Sequence, residues 1–137
     1  MTCPVTVRAQ IAVVVNRANP IQNLSLSDLR RLYLGQSVTF ANGTRVALVT
    51  YPPAQARFYN TVLGLSEDRF QRHWMELVFQ GQDATPPKAI AVGAELNRFV
   101  AEHPGALAFV DLPAVDQSVK IVTIDGQAPT DTGYRLH

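Results

Sequence analysis

The chain has 137 residues, 47% of them apolar and 17% charged, with 12 basic residues against 11 acidic ones. That is enough apolar material for one domain that buries roughly 65–70% of its unfolded surface, and too little charge for a disordered segment. A formal net charge of +1 leaves no footprint for nucleic acid or anionic lipid, and one cysteine, Cys3, allows neither an intrachain disulfide nor a multi-cysteine zinc site.

Ile11-Ala-Val-Val-Val15 is a short β-branched run closed by Asn16 and by the turn residues Asn19-Pro20, and it reads as a strand buried on both faces. Ser25 stands three residues before Asp28, a capping-box spacing. Leu26, Leu29, Leu32 and Tyr33 follow at helical intervals, Arg30 and Arg31 fall on the outer side, and Gly35 ends the helix. Asn42-Gly43 marks a turn. A second strand, 45–49, runs into Tyr51-Pro52-Pro53, where paired prolines cannot continue it.

A helix is predicted over 54–63, with Phe58, Tyr59, Val62 and Leu63 on one face and Gly64 as its stop. Ser66 caps the next helix, and Glu67 and Asp68 suit its positive end. Phe70, Trp74, Leu77 and Val78 form the predicted buried face of that helix, and residues 80–87 a polar loop. A helix over 94–102 directs Leu96, Phe99 and Val100 inward and stops at His103-Pro104-Gly105. Strands over 106–110 and 119–124 follow, joined by a turn or helical piece at 113–116. The expected core is 11–125, with a loose polar tail over 126–137.

Strands separated by helices predict an α/β sheet covered on both faces, parallel or mixed, in a single domain over 1–137. Ligands in such sheets lie beyond the carboxyl ends of strands, which directs attention to Asn16-Arg17, to 50–57 and to Asp111. No window approaches the ~20 apolar residues of a spanning helix, so no membrane insertion is expected. No charged and apolar leader opens the chain either, which leaves a cytoplasmic protein or one whose secretory signal has been removed. Cys3 reads as an ordinary thiol in a short leader.

Chemical motifs are sparse. There is no Gly-x-Ser-x-Gly and no phosphate loop ending in Gly-Lys-Ser or Gly-Lys-Thr, so neither a catalytic residue nor a cofactor is expected. His73 and Glu76 could share a metal, but two ligands without a third read as a solvated histidine beside a surface glutamate. Asp111 and Asp116 read as turn-capping carboxylates and Asn23 and Asn42 as capping or turn residues rather than glycosylation sites. Arg57 near a helix start is the candidate for an anion, since a guanidinium beside helix-end amides makes such a site.

Ile11-Ala-Val-Val-Val-Asn16, Asn19-Pro20 and Leu24-Ser-Leu-Ser-Asp-Leu-Arg-Arg-Leu-Tyr-Leu-Gly35 resemble, in that order, the phosphate-type substrate-binding proteins of ABC transporters. Pro104-Gly-Ala-Leu-Ala-Phe-Val110 is similar to that family's Pro-Gly-Ala-Ile-Gly-Tyr-Val strand. Arg57-Phe-Tyr-Asn-Thr-Val-Leu-Gly64 and the stretch from Trp74 to Gly81 are similar to its short, stand-alone members. The resemblance covers about 11–124 and implies one lobe of a type 2 periplasmic-binding-protein-like fold, exported to the periplasm. Where the family carries Ser-Gly-Thr before its Arg, this chain has Pro53-Ala54-Gln55-Ala56, and Pro52 and Pro53 have no N–H to offer an oxyanion.

The function these features imply is a non-catalytic solute-binding lobe for phosphate or another small anion, working with a membrane transporter. Thr50, Tyr51, Gln55, Ala56 and Arg57 are its expected ligand residues. The alternative is an interaction or signalling module that keeps the lobe without the ligand.

Overall fold

A computed structural model describes residues 10–136; Cys3 lies outside them. The β-branched run becomes β1 (Ile11–Asn16), with all six residues buried. Its side chains alternate between two cores, as strand geometry requires. Ile11, Val13 and Val15 enter one core and Val14 the other.

Five further strands join β1: β2 (Asn23–Leu24), β3 (Ala47–Thr50), β4 (Lys88–Ala89), β5 (Ala106–Asp111) and β6 (Val119–Ile124). Their order across the sheet is β2-β6-β1-β5-β3-β4. β1 is antiparallel to both β5 and β6, while β3 is parallel to β4 and β5, and β2 is parallel to β6. The sheet is therefore mixed, with an antiparallel central strand between parallel pairs.

Helices cover both faces. α1 (Leu26–Tyr33), α2 (Pro52–Phe58) and α3 (Glu67–Phe79) pack on the face of Val13, Leu107 and Phe109. α4 (Gly93–Glu102) covers the opposite face, where Leu96 and Val100 meet Ala106, Ala108 and Val110. The two alanines let α4 approach the strand closely. On the larger side Phe109 stacks on Phe58 at 3.8 Å, and Tyr33 packs edge-on to Phe58. The Tyr33 hydroxyl donates to the Val49 carbonyl at 2.7 Å, which satisfies a phenol wholly removed from water.

Local rules hold at the helix ends. Ser25 and Asp28 form the reciprocal capping box of α1, and Gly35 follows its last turn with φ +73°. Ser66 caps α3 by accepting from the Arg69 N–H.

Several expectations need correction. The helix predicted over 54–63 starts two residues earlier and changes at Tyr59 into a π-helical turn (Tyr59–Leu63) that ends at Gly64. The wider turn leaves the Val62 carbonyl to be met by Arg30, a residue expected to face solvent. Val78 is 53% exposed rather than core, because α3 buries only Phe70 and Trp74 fully. Phe99 is partly buried, with His103 stacked on its ring. The tail is not loose at its end: Leu136 is fully buried, its carbonyl accepts from the Ile11 N–H, and the Tyr134 hydroxyl donates to the Ile11 carbonyl. Tail and β1 thus close one hydrogen-bonded corner.

Candidate functional site

β3 and β5 run side by side in parallel, so their carboxyl ends lie together. From β3 the chain proceeds to β4 at one edge; from β5 it crosses β1 to reach β6. The two connections leave in opposite directions, which makes this the switch point of the sheet and the place where the fold class puts its ligands.

Arg57 on α2 and Asp111 at the end of β5 meet there. A guanidinium N–H donates to Asp111 Oδ1 at 2.6 Å, and only 24% and 26% of the two side chains are exposed. Such a charge-assisted bond, three-quarters covered, is stronger than a surface pair. It sets a guanidinium and a carboxylate side by side. Asp111 is not the turn cap expected of it. Asp116 is one: its Oδ1 accepts from the Ser118 N–H and hydroxyl.

The other expected ligand residues go elsewhere. Thr50, the last residue of β3, is buried, and its hydroxyl lies 2.6 Å from the Tyr59 hydroxyl. Gln55 donates to Glu67 Oε2 at 2.5 Å and reaches Thr50 Oγ1 with its oxygen at 3.4 Å. Tyr51 packs partly against both cores, and Ala56 is exposed. At the start of α2 two prolines supply no N–H and that of Ala54 is taken by the Tyr51 carbonyl. The anion-binding helix end is thus weakened by its own sequence.

Thr50, Gln55, Tyr59 and Glu67 form one end of a groove of about 570 Å³. Its walls are apolar and come mainly from α3 and from Pro86-Pro87. Burial pushes the Tyr59 phenol up to about 12, the Glu67 charge adds to the rise, and the Thr50 hydrogen bond opposes it. Tyr59 therefore stays a neutral hydroxyl at physiological pH. Arg57 does not line this groove.

Sequence spacing put Thr50, Gln55 and Arg57 in one site; the structure divides them between two. The sequence singles out Arg57 and Asp111 but not their pairing across 54 residues, and it does not point to Tyr59 or Glu67 as site residues. The four-residue step from Gln55 to Tyr59 on one helix was the available signal.

Among the described residues, no three His, Cys, Asp or Glu side chains gather as a metal site. His73 is half-buried rather than solvated, with Nε2 2.6 Å from the Leu34 carbonyl at the end of α1. No helix among the described residues is long and apolar enough to cross a membrane.

No protein-family model matches the chain, and no curated protein does. Solved structures do. An ABC-type phosphate transport receptor from Vibrio cholerae superposes with TM-score 0.71 at 23% identity, covering 89% of this chain and 48% of that one. A candidate phosphate ABC transporter substrate-binding protein with bound phosphate, from Clostridium perfringens, gives TM-score 0.71 at 18% identity over 89% and 47%. PstS from Borrelia burgdorferi gives 0.69 at 9% identity over 89% and 49%. Identities this low establish the fold: one α/β lobe of the phosphate-binding-protein type, as the resemblance implied. The chain spans about half the length of each.

Proposed function

We propose that this chain is a non-catalytic solute-binding lobe that takes a small protonated oxyanion, phosphate first, beside Arg57 and Asp111. The observation that carries the reading is this pair, three-quarters covered, standing at the switch point of a phosphate-binding-protein lobe. A hydrogen phosphate has charged oxygens for the guanidinium and a P–OH that donates to the carboxylate. Sulfate at neutral pH has no such donor and meets the Asp111 charge instead. Ala56 precedes Arg57 on α2 and Tyr51 lies just before that helix, while Thr50 and Gln55 line the neighbouring groove.

Each charge-assisted bond contributes about 1.5–3 kcal/mol at most. With α2 offering so few amides and one lobe open to water, binding is weak and phosphate is held in the millimolar to high micromolar range, about 4–6 kcal/mol. The same reading places the chain outside the cytoplasmic membrane as a soluble component serving a transporter.

Titration calorimetry on the whole chain tests the proposal. Phosphate should give a saturable heat that sulfate does not. Arg57→Ala should abolish it, and Asp111→Asn should reduce the preference for phosphate over sulfate. Absence of heat at millimolar phosphate, or an unchanged Arg57→Ala titration, overturns the assignment.

A further inference from the structure

We infer that the groove along α3 is a separate binding site for a small hydrophobic organic cation, an aryl- or alkylammonium. Its volume, about 570 Å³, falls within the usual range of small-ligand pockets. The inner end is polar, made by the buried Thr50–Tyr59 hydroxyl pair and by Gln55. The mouth is apolar and open to solvent. Met75, Val78 and Phe79 are 69%, 53% and 94% exposed, and they project from the last turns of α3 at helical spacing. Apolar side chains concentrated in one patch like this mark a site of contact.

Charge selects the occupant. Among the described residues, Glu67 is the only ionisable acid or base lining the groove that is charged at neutral pH; no described Lys, Arg or His joins it. Its Oε2 is held by Gln55, and Oε1 has no hydrogen-bond partner among the described residues. A ligand entering with an aromatic or alkyl body against Phe70, Trp74 and Phe79 would bring its head to a carboxylate and two hydroxyls. An ammonium is the head those groups favour, and aromatic faces along the walls attract the same charge. An anion is repelled. A buried hydroxyl pair beside an exposed carboxylate suits a small solute whose head terminates there. This site and the Arg57–Asp111 site differ in residues and in the sign of charge they favour, so each stands without the other.

Trp74, the only tryptophan of the chain, lines the groove and reports on it. The full-length chain is titrated with phenethylammonium, its neutral counterpart phenethyl alcohol and the anion hydrocinnamate, followed by tryptophan fluorescence and calorimetry. The expected result is one-to-one binding of the ammonium, about tenfold or more tighter than the alcohol, with no saturation by the anion. Glu67→Gln should bring the ammonium down to the level of the alcohol while lowering the thermal melt only slightly, as loss of one charge at the start of α3 does. Phe79→Ala should weaken both. Equal binding of anion and cation, an unchanged Glu67→Gln titration, or no saturable response to the ammonium overturns the proposal. So does a dimer in sedimentation that Phe79→Asp dissociates, because a second copy then covers the groove. A phosphate titration of the same Glu67→Gln sample keeps its Arg57 behaviour whichever way this result falls.

Discussion

The carboxamide of Asn16, the last residue of β1, donates to the Val100 carbonyl at 2.9 Å and closes the end of α4. It also donates to Ala101 at 3.0 Å, and its own oxygen accepts from the Ala18 N–H. Helix ends leave four carbonyls without intrahelical partners, so one side chain here meets two of them and fixes the turn after β1 as well. The Val-Asn ending that carried the family resemblance is therefore a device of the fold and not a ligand residue. Asn16→Ala should cost about 1–3 kcal/mol in denaturant unfolding, since it strands buried polar groups. Asn16→Asp should cost more, because it sets a carboxylate against the same carbonyls. A change under about half a kcal/mol for both would refute the role.

Gly105 is required for a different reason. A Cβ there would lie 2.2 Å from the Arg45 carbonyl oxygen, while the Gly105 carbonyl accepts from the Ala47 N–H. The obstacle is backbone, which cannot swing aside as a side-chain tip can. Gly105→Ala should push β3 from β5 and cost about 1–3 kcal/mol or more, read from the melting curve. Since these two strands carry Thr50 and Asp111, the same variant should also weaken any binding at their ends. An unaltered melt would show that the strand pair tolerates separation.

Much of this architecture is legible in the sequence, and the exceptions share a cause. β1, β3, β5 and β6 are short apolar runs, and the helices announce themselves through Ser25, Ser66 and the apolar spacing between caps. β2 and β4 have two residues each and exist because β6 and β3 offer an edge, so no local pattern could reveal them. Strand direction is likewise set by packing of the connections. Val78 sits at a core-like position of α3, yet it faces the open groove and stays 53% exposed. Leu136 reads as part of a polar tail but fills a corner of the core beside Ile11. Arg57 is found from its place near a helix start; its partner Asp111 is found only once β5 lies beside β3.

The Arg57–Asp111 pair should show measurable coupling. Each group is three-quarters covered, so their mutual attraction is shielded from water. Arg57→Ala and Asp111→Ala should each destabilise the protein, and the double variant should lose less than the two added together. A coupling of about 0.5–3 kcal/mol is expected from a cycle of unfolding measurements. Strict additivity would mean that the two side chains act independently, and would remove the physical basis of the oxyanion site.

Alkaline pH should unfold this protein through its buried phenols. Burial raises Tyr59 to about 12, with the Glu67 charge adding and the Thr50 bond opposing; burial also raises Tyr33, helped by Tyr59, and Tyr134. An unfolded tyrosine titrates near pH 10 (about 10 in model peptides). Between about pH 10 and 12 the unfolded chain has lost a proton that folded Tyr59 still holds, so the folded state binds more protons and stability falls as pH rises. The Tyr59 contribution is complete below about pH 10 and is lost as pH climbs through 12. Melting temperature followed from neutral pH upward should fall steeply above about pH 10, in step with the rise of tyrosinate absorbance. Tyr59→Phe should make that fall shallower, since one proton-linked group is gone, although Thr50 then loses its shorter hydrogen bond and the neutral-pH melt drops slightly. An equally steep alkaline fall in Tyr59→Phe would assign the transition to Tyr33 and Tyr134 and leave the Thr50–Tyr59 bond without a part in it.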